Sequence, residues 1–461
     1  MSIMFSQELL ISTLAIILVP LYTLYLRSSR SKNPSVLPTN WPIVGVLPYL
    51  IANFHNLHDY LAAVLAEAGH NFRAHGPPGT GMRFFLTCDP ANVRHIFTTN
   101  HTNFPKGAEF AAIFDIAGGS FFTTEGEPWR RQRARAQRVL SNPRLLAGMT
   151  GSCRDKVENG LLPVLMHMAS TATPFDLQDL TTRLVFDMTA APLFGVDPGL
   201  LSPDMPPMDA AAAMDTVMEV ALFRHTVPAS CWKAMRRLNI GPERKLAAAH
   251  TVLGGFIEEM MERRKKKEHV ANEGDPSSVD ILSSYIDDPD YQQNDGLLHA
   301  TLINYMIAGR DTIGTALTWV FYNLAQNPHV MSAIRNELSP IASRKAATGA
   351  NNSSTMMNTI VAAMVWNFDV EVVEGHRVQP KMSCVLQMKN GLMNHKFHMG
   401  VCIRVPLRRG VVQDTMEDVV ARPNAGMVLE NVRASITGSR TTVGGGGSSD
   451  RHVDSVILYF L

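Results

Sequence analysis

The chain has 461 residues, 46% of them hydrophobic and 18% charged, enough for one large domain or two ordinary ones. With a net charge of +1, no basic surface suggests nucleic-acid binding. The five cysteines, Cys88, Cys153, Cys231, Cys384 and Cys402, lack framework or CxxC spacing. That excludes a disulfide scaffold and a CxxC zinc site, and fits a reducing compartment.

Leu9 to Leu26 is an apolar run long enough to span a bilayer, with Glu8 before it and Arg27, Arg30 and Lys32 after it. It is long for a signal peptide and no small-x-small cleavage site follows, so residues 1–32 read as an uncleaved anchor. Positive-inside logic then leaves the bulk of the chain in the cytosol. Pro34, Pro38, Pro42 and Pro48 make residues 33–50 a stiff, extended hinge.

Leu57 to Ala68 is expected to be a helix closed by Gly69. Arg83 to Thr87 reads as a short strand, followed by Asp89 and Pro90 as N-cap and first residue of a helix through Thr99. Phe110, Phe114, Phe121 and Phe122 then crowd one loop, and read on their own as core aromatics. Glu127 and Pro128 open another helix, on which Trp129 and Arg133, four apart, share a face. Arg130, Arg131, Arg133, Arg135 and Arg138 together read as a solvated face. Phe175 to Gly195 is expected to be helical, closed by Gly195-Val196-Asp197-Pro198. Helices continue to Glu262, the run Arg263 to Lys267 reads as a solvated helix end, and Gly274 to Ser278 reads as a loop.

His299 to Gln326 reads as one long helix, with Asp295 as N-cap and Asn327-Pro328 as its stop. It is about 40–45 Å long at the helical rise. Apolar on nearly every face, it is expected to be buried. Arg310 and Asp311 sit in its middle and split the apolar run into halves too short to cross a bilayer. A bare buried charge is costly, so the pair must be mutually satisfied or line a polar cavity. Val330 to Ile341 is again helical, Arg344 to Met357 is a loop, and Thr359 to Phe368 is an apolar helix. Two strand-like runs follow up to Met393. Residues 394–461 have no sustained period and include Gly444 to Gly447, so they read as an unrelated, disordered tail.

Ala308-Gly309-Arg310-Asp311-Thr312, in the middle of a long buried helix, resembles the small-Gly-x-acid-Thr motif of the cytochrome P450 central helix. Trp129 and Arg133 match that family's Trp-x-x-x-Arg. The proline hinge after a single anchor resembles microsomal members. Asn103-Phe104-Pro105-Lys106-Gly107 resembles the plant group that oxidises long-chain fatty acids and alkanes. The resemblance implies a mainly α fold with small β-sheets, at the endoplasmic reticulum membrane, carrying haem. The implied reaction inserts one oxygen atom from O2 into a C–H bond, with electrons from NADPH through cytochrome P450 reductase. By the same resemblance, Ala308 and Gly309 leave room for the cofactor and dioxygen, and Asp311 and Thr312 relay protons. Trp129 and Arg133 would bind a haem propionate through paired donors. Phe110, Phe114, Phe121 and Phe122 would roof a cavity for an alkyl chain.

The resemblance covers residues 9–357 and 359–393, within a domain assigned to 51–393. Between those stretches the family carries a Glu-x-x-Arg helix, a Pro-Glu-Arg-Phe-like segment and the Phe-x-x-Gly-x-Arg-x-Cys-x-Gly loop with the iron-ligating thiolate. None is present, which implies an incomplete fold with a deletion near 357–358. Cys402 follows Phe397-His398-Met399-Gly400 but lacks that loop's spacing, arginine and following glycine. His395, His398 and Cys402 lack a fourth ligand for zinc. No metal ligand is therefore assigned. The alternative function is a haem-free inactive remnant or a misassembled gene model, a non-enzymatic, membrane-tethered helical protein.

Overall fold

The structure, a computed structural model, describes residues 35–171, 174–270, 280–344, 356–399 and 456–458. The chain divides into a unit of Met1–Asn100 with His452–Leu461 and a unit of His101–Arg451. Among the described residues no helix is long and apolar enough to cross a membrane. The apolar run Leu9 to Leu26, the loop Gly274 to Ser278 and Cys402 lie outside them.

In the first unit, β1 (Asn71–His75) pairs antiparallel with β2 (Arg83–Thr87), and Val456–Leu458 joins β2 in parallel. The helix Leu57–Glu67 buries Leu57, Leu61, Val64 and Leu65. It ends at Ala68, and Gly69 just beyond has φ +68°. Asp89 caps Pro90–Arg94 by accepting from the Ala91 N–H at 2.8 Å. A wider turn, His95–Thr99, carries the helix to its expected end.

The second unit is organised on the helix Asp295–Gln326. Its cap is Asn294, whose side chain accepts from the Leu297 N–H at 2.9 Å; Asp295 is the first helical residue. The cap thus lies one residue earlier than expected, and Asp295 instead meets the positive end of the helix dipole. The helix stops at Asn327, before Pro328. Two apolar cores meet along it. Leu298, Leu302, Ile303, Tyr305 and Met306 belong to one, and Leu317, Phe321 and Leu324 to the other. Arg310 and Asp311 fall between them, both buried.

The helix Leu177–Phe194 packs along the central helix. Asp176 caps it, accepting from the Gln178 N–H at 2.8 Å, and Gly195 closes it at φ +72°. Phe175 and Asp176, expected to be helical, form β3 instead. They pair with Asn394 and Met393 of β5 (Met393–Met399), which also pairs with β4 (Phe368–Val372). Strand β5 therefore runs across the boundary drawn at 393. Phe368, expected to end a helix, begins β4, and the helix before it is Met356–Asn367.

The helix Gly241–Val270 extends past Glu262 through the basic run. That run is not simply a solvated end. Arg264 pairs with Asp280 at 3.1 Å and donates to Ser283 at 2.8 Å, and Lys267 donates to the Gly195 carbonyl at 2.8 Å. These contacts anchor the residues after 279 to the end of Leu177–Phe194, where Ile281 and Leu282 also donate to Pro192 and Leu193 carbonyls.

Candidate active site

In the middle of the central helix, between Leu297 and Ala325, Ala308 and Thr312 are the two exposed residues, one turn apart. Thr312 Oγ1 donates to the Ala308 carbonyl at 2.7 Å, which fixes the hydroxyl along the helix and leaves its oxygen free to accept. Gly309 faces elsewhere. A Cβ built on it would come within 2.6 Å of the Thr189 methyl group on the Leu177–Phe194 helix. Its smallness serves helix–helix approach.

Asp311 turns away from Thr312 into the helix packing, and no hydrogen bond joins them among the described residues. Its Oδ1 accepts from Arg310 Nη1 at 2.5 Å, while Oδ2 is buried with no partner. Burial pushes the Asp311 carboxyl above the usual range, against the pull of Arg310. Arg310 also donates to Asp215, on the helix Asp209–Thr226, at 2.5 Å. Sequence reading missed Asp215. Its signal was an acid in mid-helix among alanines, methionines and valines, four residues before Glu219.

Trp129 and Arg133 do share a face of the helix Gly126–Leu140. The five arginines there separate by partner. Arg130 pairs with Glu127 at 3.7 Å, Arg131 with Asp290 at 3.9 Å, and Arg135 with Asp288. Arg133 and Arg138 have no carboxylate partner among the described residues. The Arg133 guanidinium lies 6.0 Å from the Phe121 ring centroid, and Trp129 sits 6.5 Å from the His101 ring.

Three of the four phenylalanines come together, and the fourth, Phe121, faces Tyr305 at 6.1 Å. Phe110 lies 4.9 Å from Phe114 and 5.4 Å from Phe122, and Phe114 meets Phe122 edge-on at 5.1 Å. Phe114 is buried, whereas Phe110, Phe121 and Phe122 are half-buried at the margin of the core. The loop that carries them is tied down at several points. Lys106 Nζ donates to the Phe122 carbonyl at 2.6 Å, Gln132 to the Gly119 carbonyl at 2.9 Å, and Asn304 of the central helix to Ser120 at 3.4 Å. At its far side Arg224 donates to the Ile113 carbonyl at 2.7 Å and to Asp115 at 2.9 Å. Sequence reading missed this anchor as well.

The sequence profile of the Cytochrome P450 family matches residues 35–351. The chain belongs to the cytochrome P450 family. Noroxomaritidine synthase 1 of Narcissus pseudonarcissus is 32% identical over 374 residues, covering 81% of this chain and 71% of that protein. Cytochrome P450 86B1 of Arabidopsis thaliana is 35% identical over 317 residues, 68% of this chain and 56% of that protein. Alkane hydroxylase MAH1 of Arabidopsis thaliana is 30% identical over 332 residues, 71% of this chain and 67% of that protein.

A cytochrome P450 implies haem, with a redox partner reductase and a substrate. The distal side of the site fits that cofactor: Ala308 and Thr312 stand open on a buried helix, and Arg133 lacks a carboxylate among the described residues. The cysteines described do not fit the iron ligand, which must be a thiolate. Cys153 is buried in the core and burial pushes its thiol up to about 12. Cys384, exposed yet ringed by protein atoms, is likewise pushed up to about 12. Burial also raises Cys88, which lies in the other unit, and Cys231 is exposed on the helix Ala229–Leu238.

Proposed function

We propose that the His101–Arg451 unit is built to hydroxylate a long aliphatic chain, a fatty acid or an alkane. The observation that carries this reading is the open Ala308–Thr312 face in the same unit as the phenylalanine cluster. The packed rings of Phe110, Phe114 and Phe122 offer an apolar surface that suits an alkyl chain. The relatives include an alkane hydroxylase and a noroxomaritidine synthase, and the roof favours the first substrate class. Haem, when bound, supplies the oxidising chemistry, with O2 and reductase-supplied electrons. The chain's own residues do the rest. Arg133 and Trp129 orient the cofactor's carboxylate edge, and Phe110, Phe114, Phe121 and Phe122 exclude water. Thr312 holds a proton at Oγ1, and Asp311 offers its free Oδ2 to a second one. The apolar run Leu9 to Leu26 would hold this unit at the endoplasmic reticulum membrane, facing the cytosolic reductase.

A second reading concerns the chain as written: it lacks the segment that carries the iron ligand, and is a haem-free remnant or a misassembled gene model. The family match ends at residue 351, yet residues beyond 355 pack as one body with those before. Arg335, on the helix Pro328–Arg344, donates to the Val365 and Phe368 carbonyls at 2.8 Å each. Gln178 exchanges two hydrogen bonds with the Met388 backbone at 2.8 and 2.9 Å. This packing supports the reading of two parts of one fold joined without an intervening segment. The test restores a family segment between Met357 and Asn358 and supplies NADPH, O2 and reductase. Hydroxylated long-chain product is expected. Thr312→Ala should then separate electron use from product by about 10²–10⁴-fold. Turnover of amines with none of aliphatic chains would overturn the substrate class, and unchanged coupling in Thr312→Ala and Asp311→Asn would remove the relay.

A further inference from the structure

Arg310 stands between two carboxylates. Its Nη1 donates to Asp311 Oδ1 and to Asp215 Oδ1, each at 2.5 Å. Asp215 has further donors: Gln387 Nε2 reaches the same oxygen at 2.9 Å, and Lys381 Nζ reaches Oδ2 at 3.4 Å. Lys381 also pairs with Glu219, one turn beyond Asp215, at 2.7 Å. Asp311 has only the arginine, and its buried Oδ2 has no partner. Asp215 is the better solvated of the two, with 23% of its side chain exposed against 1% for Asp311.

One guanidinium cannot fully neutralise two carboxylates in a low-dielectric interior. The acid with more donors and more water keeps its charge, and the other is left to take up a proton. We propose that Asp215 is a positioning residue for the relay: by drawing Arg310 to itself it lets Asp311 carry a proton, and Lys381 tempers that draw. This rests on the reading of Asp311 as a relay acid. The directions of both acids agree with it. Burial opposes the Asp215 charge, but Arg310, Lys381 and Gln387 outweigh it and hold that carboxyl below the usual range. Burial raises Asp311, and the neighbouring Asp215 adds to the rise.

The charged groups acting on Asp311 are Arg310 on its own helix, Asp215 on the helix Asp209–Thr226 and Lys381 on the segment before β5. The helix Leu177–Phe194, packed along the other side, meets this stretch at Gly309 with the uncharged Thr189.

The experiment is an infrared titration of the full chain in detergent, following the carbonyl stretch of protonated carboxyls. Asp311 is assigned as the band missing in Asp311→Asn. Asp215→Asn should lower the proton affinity of Asp311 about tenfold or more, because Arg310 then serves it alone. Lys381→Met should raise it, because Asp215 then draws and repels more strongly. A merely structural loosening would admit water and lower the affinity in both variants. Opposite shifts therefore support the proposal, and equal, same-signed or absent shifts overturn it. Should Asp215→Asn fail to fold, the half-exposed Lys381→Met decides alone, and anything but a rise overturns. An Asp311 that stays ionised throughout the titration also overturns it. The readout needs no bound haem, so its failure is distinct from a failure of the hydroxylase reading.

Discussion

Replacing Arg224 by methionine should cost the His101–Arg451 unit about 3–5 kcal/mol, the usual penalty for breaking a buried ion pair. Only 1% of its side chain is exposed, as is 1% of Glu243. Its Nε and Nη2 donate to the two Glu243 oxygens at 2.7 and 2.8 Å. Nη1 serves Asp115 and the Ile113 carbonyl, and the guanidinium carbon lies 4.7 Å from the Trp232 ring centroid. Without Arg224, Glu243 keeps only Arg236, whose side chain is 44% exposed and correspondingly well hydrated. The Ile113 carbonyl and Asp115 lose a donor at the same time, so the phenylalanine-bearing loop is released with the core. The assay is denaturant unfolding followed by tryptophan fluorescence, with Trp232→Phe as the control for the local signal. Pairing Arg224→Met with Glu243→Leu should recover much of the loss, since no buried charge is then stranded. A single variant within about 1 kcal/mol of the parent, the value of an exposed pair, would refute the reasoning. So would a double variant as unstable as the single one.

Burial lowers the proton affinity of His225, which stacks 5.7 Å from Phe114. A folded value below the unfolded one means that its contribution is whole above the ordinary histidine range and lost as pH falls through the folded value. His225→Leu should flatten that loss, and an unchanged pH slope of the unfolding midpoint would count against it. Gly309→Ala should cost about 1–3 kcal/mol by overpacking against Thr189, and Thr189→Ala in the same chain should restore most of it. An additive double variant would sink that explanation. Replacing residues 9–26 by a polar segment should release the chain from carbonate-washed endoplasmic reticulum membranes. A full-length chain that is already soluble would contradict the anchor.

Features set by local chemistry could be read from the chain, and features set by distant partners could not. The central helix was legible because an unbroken apolar run ends at Asn327-Pro328. Its cap was missed by one residue because Asn294 and Asp295 both suit that position. The short strand at Phe175 and Asp176 has no local signal; Asp176 is tied to Leu392, 216 residues later. The need to satisfy Arg310 and Asp311 was evident, but the partner that shares Arg310 lies 95 residues away. Gly309 was read through a motif as room for a cofactor, and its close approach to Thr189 on another helix had no local signal. The arginines of Gly126–Leu140 could be sorted only by seeing which carboxylates reach them.

The most direct test of the claim that this chain is a cytochrome P450 body without its iron ligand is a reduced spectrum with carbon monoxide. The full chain would be purified with haem supplied, beside its Cys402→Ala variant. No thiolate-type Soret band is expected from either. A stoichiometric band would contradict the claim: surviving in Cys402→Ala, it would show that another cysteine serves, and lost there, that Cys402 is the ligand.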